Sequence, residues 1–454
     1  MRFKNRHHLH HKLFLSLHDP HSLLFHYVRT SILLFMEQIH LYFFLFLGRT
    51  ADSNSEDDSY NDNASVYSYL SENEPSSVND PDELSSNDRY EEKFLQALEN
   101  ATEKSAQTRA LALQAICEIL MHRYMPDFVE DRKVTLIDCI EKSIRRGKGA
   151  EQLWGAKLAP LLVLQLSGDG DILKGLNQFL LTTVQDKSVS FDARAKCCTA
   201  LGLLNFLCSD DIGNLLTLMQ FFEGIFSASY LRGDDKSPVS VNAEAGNLHA
   251  EALSSWGLLL TMIPAGDFAL IRSVKKLMGL LKSPHLEVRM AAGETLALIL
   301  ECGRSHDDDF LSEYLDDLIE AVKQLATDSH KYRAKRDRKA QRATFRDVLR
   351  YLEEDISPEI NVRFGSECLV LDSWSIHHQY SALCVVMGPG MTSQLQENDF
   401  MRDIFQLGDK VVANPALKGA KQSKLERHLH NAAAFKQRTL TRGKNRDKRS
   451  AVFT

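Results

Sequence analysis

Five stretches of this chain can be laid over one another, and that repetition limits the fold more than any other feature. Arg109 to Leu120 (RALALQAICEIL) aligns with Arg194 to Asn205 (RAKCCTALGLLN) and with Arg289 to Leu300 (RMAAGETLALIL). Fainter copies begin at Gln152 and His249. Successive starts lie 43, 42, 55 and 40 residues apart. Apart from the third interval, these match the roughly 40–47-residue period of HEAT and armadillo repeats. Counting from the leading residue, offsets 1, 3, 6, 7 and 10 are mostly small or apolar, which is one stripe on a helical period. Small residues early in the stripe (Ala112, Cys197, Ala252, Ala292) admit a neighbouring helix, and larger ones later (Ile119, Leu204, Leu259, Ile299) fill the space between layers. A single helical pair cannot bury both of its faces, so the pairs must stack into a solenoid.

The expected fold is therefore all-α: an armadillo/HEAT-like array over 89–355 that ends in a basic helix. Arg89 to Lys104 is expected as its first helix and Asp127 to Arg146 as another. The string Arg145-Arg146-Gly147-Lys148-Gly149 lacks the spacing and preceding strand of a phosphate loop. It reads as a helix C-terminus with a left-handed cap. Pro126, Pro264 and Pro284 fall at expected turns or first helical positions. A polar connector, Leu231 to Pro238, accounts for the one long interval.

Charge is strongly segregated although the net charge is only −7. Residues 51–92 hold thirteen Asp or Glu against one Arg, and residues 418–449 hold eleven Lys or Arg against Glu426 and Asp447. The arm over 51–88 has too few large aliphatics to offset chain entropy and is expected to stay disordered. Ser55 and Ser71 each precede acidic residues and read as acid-directed phosphorylation sites, or simply as parts of a solubilising arm. Residues 1–50 form an atypical leader that carries eight of the seventeen His. Its apolar run from Ser31 to Leu47 is interrupted by Glu37, Gln38 and His40, short of the about 20 clean residues a membrane span needs. A poorly structured leader, foreign to the rest, is expected there, and a metal site at His7 to His11 is not. The eight cysteines form no C-x-x-C pair, and most lie on apolar faces, which implies reduced, buried thiols and an intracellular setting.

Between Lys331 and Arg350 nine Lys or Arg face only Asp337 and Asp347. Here a long helix is expected, with Tyr332, Ala343, Phe345 and Leu349 as its packing contacts. Lys335, Arg338 and Arg342 are its candidate nucleic-acid contacts, set against the alternative of a solvated helix face. A small α/β connecting region follows over 356–417. Ile360 to Phe364 alternates as a strand does and can pair with Leu369 to Trp374 in a hairpin. Tyr380 to Met387 and Gln394 to Phe405 read as helices separated by the turn Gly388-Pro-Gly390.

The basic tail spans 418–454. Leu425 and Leu429, and Asn431 and Phe435, are four residues apart, which predicts a short amphipathic helix. Beyond it no apolar stripe continues, and arginine-rich segments of that kind order on RNA. The candidate RNA contacts are Lys418, Lys421, Lys424, Arg427, Lys436, Arg438, Arg442, Lys444, Arg446, Lys448 and Arg449. A localisation signal is the competing reading.

Several motifs resemble the interferon-related developmental regulator family: Ile144 to Gln152 (IRRGKGAEQ), Val362 to Glu367 (VRFGSE), Leu371-Asp-Ser-Trp374, and above all Glu426 to Arg438 (ERHLHNAAAFKQR) with Asn445 to Arg449. The resemblance covers the chain from about Tyr90 onward. It implies a non-enzymatic regulator with an armadillo-like array, associated with transcriptional co-regulation through protein partners and with ribosome binding that restrains translation.

No triad, metal-ligand or paired-carboxylate pattern sits on a strand end or Gly-rich turn. His377-His378 and His428-x-His430 stand apart from candidate ligands in sequence. No enzyme activity, cofactor, metal or small-molecule substrate is expected. Two functions remain. In one, the tail and basic helix grip ribosomal RNA while the array docks on proteins. In the other, the array's concave face binds a corepressor or transcription factor in the nucleus. A monomer present in cytoplasm and nucleus, without a membrane association, fits either.

Overall fold

The computed structural model describes residues 81–410 apart from 233–236, 240, 265–273 and 328–333, with side chains from Asp88 onward except that of Lys335. The leader, the phosphorylation candidates Ser55 and Ser71, the contact at Tyr332, and every tail candidate from Lys418 to Arg449 lie outside the described residues.

Helices alternate between an outer and an inner layer. α1 (Pro81–Asn100) packs on α2 (Ala106–His122), and the short α3 (Pro126–Glu130) and α4 (Lys133–Arg146) precede α5 (Ala150–Gln165). α6 (Gly170–Gln185) pairs with α7 (Phe191–Cys208), α8 (Ile212–Phe226) with α9 (Ala243–Leu260), and α10 (Val274–Leu280) with α11 (Leu286–Arg304). α12 (Ser312–Thr327) and α13 (Lys335–Glu354) form the last pair. α2, α5, α7, α9, α11 and α13 stack on one another in that order. The five repeated segments are the first five of these inner helices. Outer helices show the one-sided pattern of a surface helix: in α4 only Leu136, Cys139, Ile140, Ser143 and Ile144 are buried. Inner helices are buried around most of their circumference, α5 along nearly its whole length. Side chains of Ser105, Asp169, Ser190, Asp211 and Asn242 cap the helices that follow them, each contributing about 1 kcal/mol.

The aligned leading residue has a common task. Arg109 donates from Nη1 to Glu103 O (2.9 Å) and Lys104 O (2.8 Å), Arg194 from Nε to Val184 O (2.7 Å), and Arg289 from Nη1 to Ser283 O (2.7 Å). Each arginine thus satisfies the carbonyls that close its own outer helix or turn, groups an α-helix leaves unpaired. Two of them also reach the next inner helix: Arg109 grips Glu151 with two hydrogen bonds (2.7 and 2.9 Å), and Arg289 grips Gln341 Oε1 (3.1 and 2.7 Å). In the fourth copy His249 stands in this place and meets Ser229 Oγ through Nδ1 at 2.7 Å.

Several boundaries differ from the sequence expectation. α1 opens at Pro81, inside the stretch expected to be disordered, because proline's fixed φ suits a first turn. The expected helix from Asp127 to Arg146 is two helices. Arg132 breaks it, stacking over the Phe128 ring (3.7 Å) and donating to Phe128 O (2.7 Å). Gly147 is extended, not left-handed (φ −69°). Glycine is needed there for space, since a Cβ would lie 2.3 Å from Ser143 O. Pro160 sits inside α5; the lost backbone hydrogen bond is borne by a helix buried between α2 and α7.

After α13 comes an antiparallel hairpin, β1 (Ile360–Phe364) and β2 (Glu367–Leu371), with Phe364 opposite Glu367 and Ile360 opposite Leu371. Gly365 (φ +56°) makes the two-residue turn possible. β2 starts before the expected Leu369 and ends at Leu371, since Trp374 already opens α14 (Trp374–Met387). That helix begins well ahead of the expected Tyr380. The expected helix from Gln394 to Phe405 is α15 (Met391–Glu397) and α16 (Asp399–Ile404), divided at Asn398.

Four cysteines (Cys117, Cys139, Cys197, Cys198) are buried, three are half-buried, and Cys368 is exposed on β2; none is paired. Burial pushes the Cys117, Cys197 and Cys384 thiols up to about 12. Among the described residues no helix is long and apolar enough to cross a membrane.

Gly293 of α11 lies where a Cβ would meet the buried Phe345 ring of α13 at 2.6 Å. Gly293→Val should destabilise the fold by about 1–3 kcal/mol in denaturant unfolding. His249 is held down to about 4, from 6.5, by burial first and then by the charges of His285 and Arg194. The folded chain therefore binds fewer protons than the unfolded chain between those values, and stability should fall as pH drops through that window. His377 and His378 are lowered too, mainly by burial, and act in the same sense. His249→Gln should flatten the pH dependence of the unfolding midpoint.

Candidate functional site

The segment after the hairpin lies across the inner layer. α14 touches α2, α5, α7, α9 and α11, and α15 packs on α2 and β1. Polar groups from distant parts of the chain hold it there. Glu301, on α11, receives the first N–H groups of α14: Trp374 N at 2.6 Å and Ser375 N and Oγ at 2.8 Å. A carboxylate at a helix N-terminus is favoured both by these orphan donors and by the helix dipole. Ser373 caps the same turn through Ile376 N, and Trp374 packs edge-on against Tyr351 of α13. His377 Nε2 meets Pro358 O and His378 Nε2 meets Ser254 O, both at 2.7 Å. The two histidines are thus structural fastenings. Among the described residues no group of three potential ligands stands close enough to hold a metal ion.

Two glutamines meet at the end of α2. Gln165 Nε2 donates to Leu120 O and Arg123 O, and Gln394 Nε2 to Leu120 O, Met121 O and Arg123 O, all between 2.8 and 3.2 Å. Gly390 lets the backbone approach this point, since a Cβ there would collide with Met121 O. Asn398, fully buried, donates to Leu164 O (2.8 Å) and accepts from Met401 N (3.1 Å), which is what divides α15 from α16.

Arg402 is the hub of this segment, only 1% exposed. Its guanidinium makes two bonds to Glu367 (2.7 and 3.1 Å) and reaches the carbonyls of Leu395, Leu407, Gly408 and Asp409. The Glu367 hydrogen bond, more than any other contact, raises the Arg402 pKa. One side chain thereby ties the hairpin, α15 and the last residues before the basic segment together.

Of the sequence-predicted contacts, Arg338 and Arg342 are brought into one row on α13. Lys335 opens the helix, and Arg338 and Arg342 follow at helical spacing, both half-buried. Arg342 Nε donates to Arg338 O (3.3 Å), while Arg338 Nε is buried with no hydrogen-bond partner among the described residues. Arg346 and Arg350 extend the row and are exposed, Arg350 lying 3.5 Å from Glu354. The opposite side, with Ala340, Phe345, Val348 and Tyr351, is core. That helix is thus the last inner member of the array, with a fuller buried face than the sparse contacts expected of it. Acidic charge lies beside it: Glu294 on α11 is pushed up to about 7 by burial and then by Asp347 of α13.

Sequence comparison decides where such a molecule belongs. The profile of the interferon-related developmental regulators matches residues 63–353, and that of the interferon-related protein conserved region matches residues 398–450. The chain belongs to the interferon-related developmental regulator family. It is 40% identical over 378 residues to interferon-related developmental regulator 1 of Mus musculus, covering 82% of this chain and 84% of that protein. Against regulator 2 of Mus musculus it is 40% identical over 380 residues, covering 82% and 86%. Against regulator 1 of Homo sapiens it is 39% identical over 378 residues, covering 82% and 83%. The family's second conserved region opens at Asn398, passes through Arg402, and continues into the basic segment.

Sequence reading missed Glu301, Gln394, Asn398 and Arg402 as organising residues. The one local signal was polar side chains embedded in apolar helical stretches. Arg402→Met should leave Glu367 unpaired and cost about 3–5 kcal/mol. Hydrogen exchange across 374–404 should rise while the middle of the array stays protected, and adding Glu367→Leu should recover part of the loss.

Proposed function

We propose that the chain is a non-enzymatic regulatory scaffold whose helical array binds protein partners and whose basic C-terminal tail binds RNA, in ribosome-associated control of translation. The observation that carries this reading is the segregation of charge. Eleven Lys or Arg against two acids, over 418–449, begin nine positions after Asp409, the last of the Arg402-anchored residues, within one conserved region of the family. Polyanionic RNA is the partner such a segment fits. The row from Arg338 to Arg350 offers a second cationic contact, and membership in a family of regulators supports a regulatory role. The protein acts in cytoplasm and nucleus.

The second reading is a nuclear transcriptional co-regulator that recruits repressor complexes, with the basic string as its localisation signal. In that case the partner docks outside the part of the inner layer that α14 and α15 cover, contrary to the expectation for the array's concave face.

Ribosome co-sedimentation at about 50 and 200 mM salt separates the two. If six or more charges neutralise phosphates, affinity should fall about 10³–10⁵-fold across that range. Truncation after Gly419 should abolish binding. Equal binding by the truncated chain that is lost on Lys335→Glu, Arg338→Glu and Arg342→Glu would move the contact to α13. Failure of the full chain to bind at either salt would favour the nuclear reading.

A further inference from the structure

Beside α14 a strip of the inner layer stays partly open to solvent, over the N-terminal halves of the inner helices. His378 of α14 meets Ser254 O of α9 at 2.7 Å and marks one border of the strip. From there Ser254, Glu251 and Asn247, all half-buried, follow one another at helical spacing on α9, as Thr199 and Lys196 do on α7. Two charged residues stand at its ends. Lys157 of α5 and Glu294 of α11 each lie five positions after the leading residue of their repeat, Gln152 and Arg289. They therefore share one face of the stack, with α7 and α9 between them.

The middle of the strip is satisfied and its ends are not. Lys196 pairs with Glu251 (3.3 Å), which also accepts from Thr199 Oγ1 (2.9 Å). Lys157 Nζ lies over the Trp154 ring (5.5 Å) and makes no hydrogen bond or ion pair among the described residues. Glu118, close by, engages Gln114 Nε2 at 2.7 Å instead. The Glu294 carboxyl has no partner among the described residues either, and Asp347 beside it adds charge of the same sign. Burial holds Lys157 down to about 8 and, ahead of Asp347, lifts Glu294 to about 7, the directions expected of charges kept without counter-ions. Both side chains are only half-buried and neither charged end is closed off from solvent, so an incoming group can reach them.

A charge withdrawn from water without a partner is costly, and an opposite charge delivered by a ligand relieves that cost. RNA would meet Glu294 and Asp347 as repulsion, whereas a polypeptide carries both signs at a set separation. Three inter-helix spacings part Lys157 from Glu294, about 24–30 Å, which an extended chain covers in about seven to nine residues.

We propose that this strip binds an extended segment of a protein partner, with an acidic side chain paired to Lys157 and a basic one, about seven to nine residues away, paired to Glu294. The proposal rests on the reading of the array as a protein-binding scaffold, and it gives that scaffold a site and a charge pattern.

The test selects a displayed library of random peptides, long enough to span the strip, on the full-length protein. Enriched peptides are then measured by fluorescence polarisation, and they should carry one acid and one base at the stated separation. Lys157→Glu and Glu294→Lys should each weaken binding roughly thirtyfold or more. A peptide whose acid is replaced by lysine should regain binding to Lys157→Glu, which separates a lost pair from a misfolded variant. Enriched peptides that bind both variants as well as the wild type would overturn the strip and leave the scaffold reading standing. A library that yields no binder would overturn the strip and count against the scaffold reading as well. Stability gives a second readout: Lys157→Met and Glu294→Gln should unfold no earlier than the wild type, since neither removes a pair. An earlier midpoint would mean that the fold already uses these charges, and would overturn their assignment to a partner.

Discussion

An α-helix that is apolar around most of its circumference has to be surrounded, and the inner helices of this array are of that kind. In α5 the buried positions run almost without a break from Glu151 to Gln165. Neighbouring inner helices cover two sides and the outer layer a third. The side left over is met by the chain's own later segment, α14, which crosses five inner helices in succession. The hairpin and short helices after α13 are thus less an appendage than the remaining wall of the core. Their polar fastenings follow from the same constraint. A helix end buried under another segment needs partners for its carbonyls, and Gln165 and Gln394 provide them at the end of α2.

That arrangement directs where charge can go. The interior has little room for it, and the buried charged side chains have partners: Glu151 with Arg109, Arg289 with Gln341, and Arg402 with Glu367. The densest basic runs are α13 at the end of the array and the segment over 418–449. An acidic run over 51–92 precedes α1 and continues into its first turns. Runs of one sign toward the two ends leave the array between them close to neutral overall.

The array was legible in sequence because its information is periodic. Each copy repeats the same small-then-large stripe, and the five copies fall on five stacked inner helices. Even the leading arginine was visible as a column of the alignment, although its task of closing the outer helices was not. The hairpin showed through its alternation. The segment from α14 to α16 resisted reading because what specifies it is not local. Asn398 breaks a helix in order to reach Leu164 O, and Glu367 finds Arg402 across 35 residues. Neither partner marks the other in the linear chain. The cationic contacts were legible as charge alone, and only the packing of Ala340, Phe345 and Val348 shows which side of α13 is occupied.

The bond from Gln394 to Leu120 spans 274 residues, and this has a consequence for synthesis. Translation runs at roughly 5–20 residues per second, so α2 emerges about 15–55 seconds before the group that completes its end. During that interval the stacked pairs can form from local contacts, but part of the inner layer is still open to solvent. Contacts of such long sequence separation close last. The nascent chain therefore passes through a stage in which its most apolar surface is uncovered, and burial of that surface waits for residues 374–404. Release from any chaperone holding the chain would then be timed by the emergence of residues 374–404 rather than by the folding of the repeats.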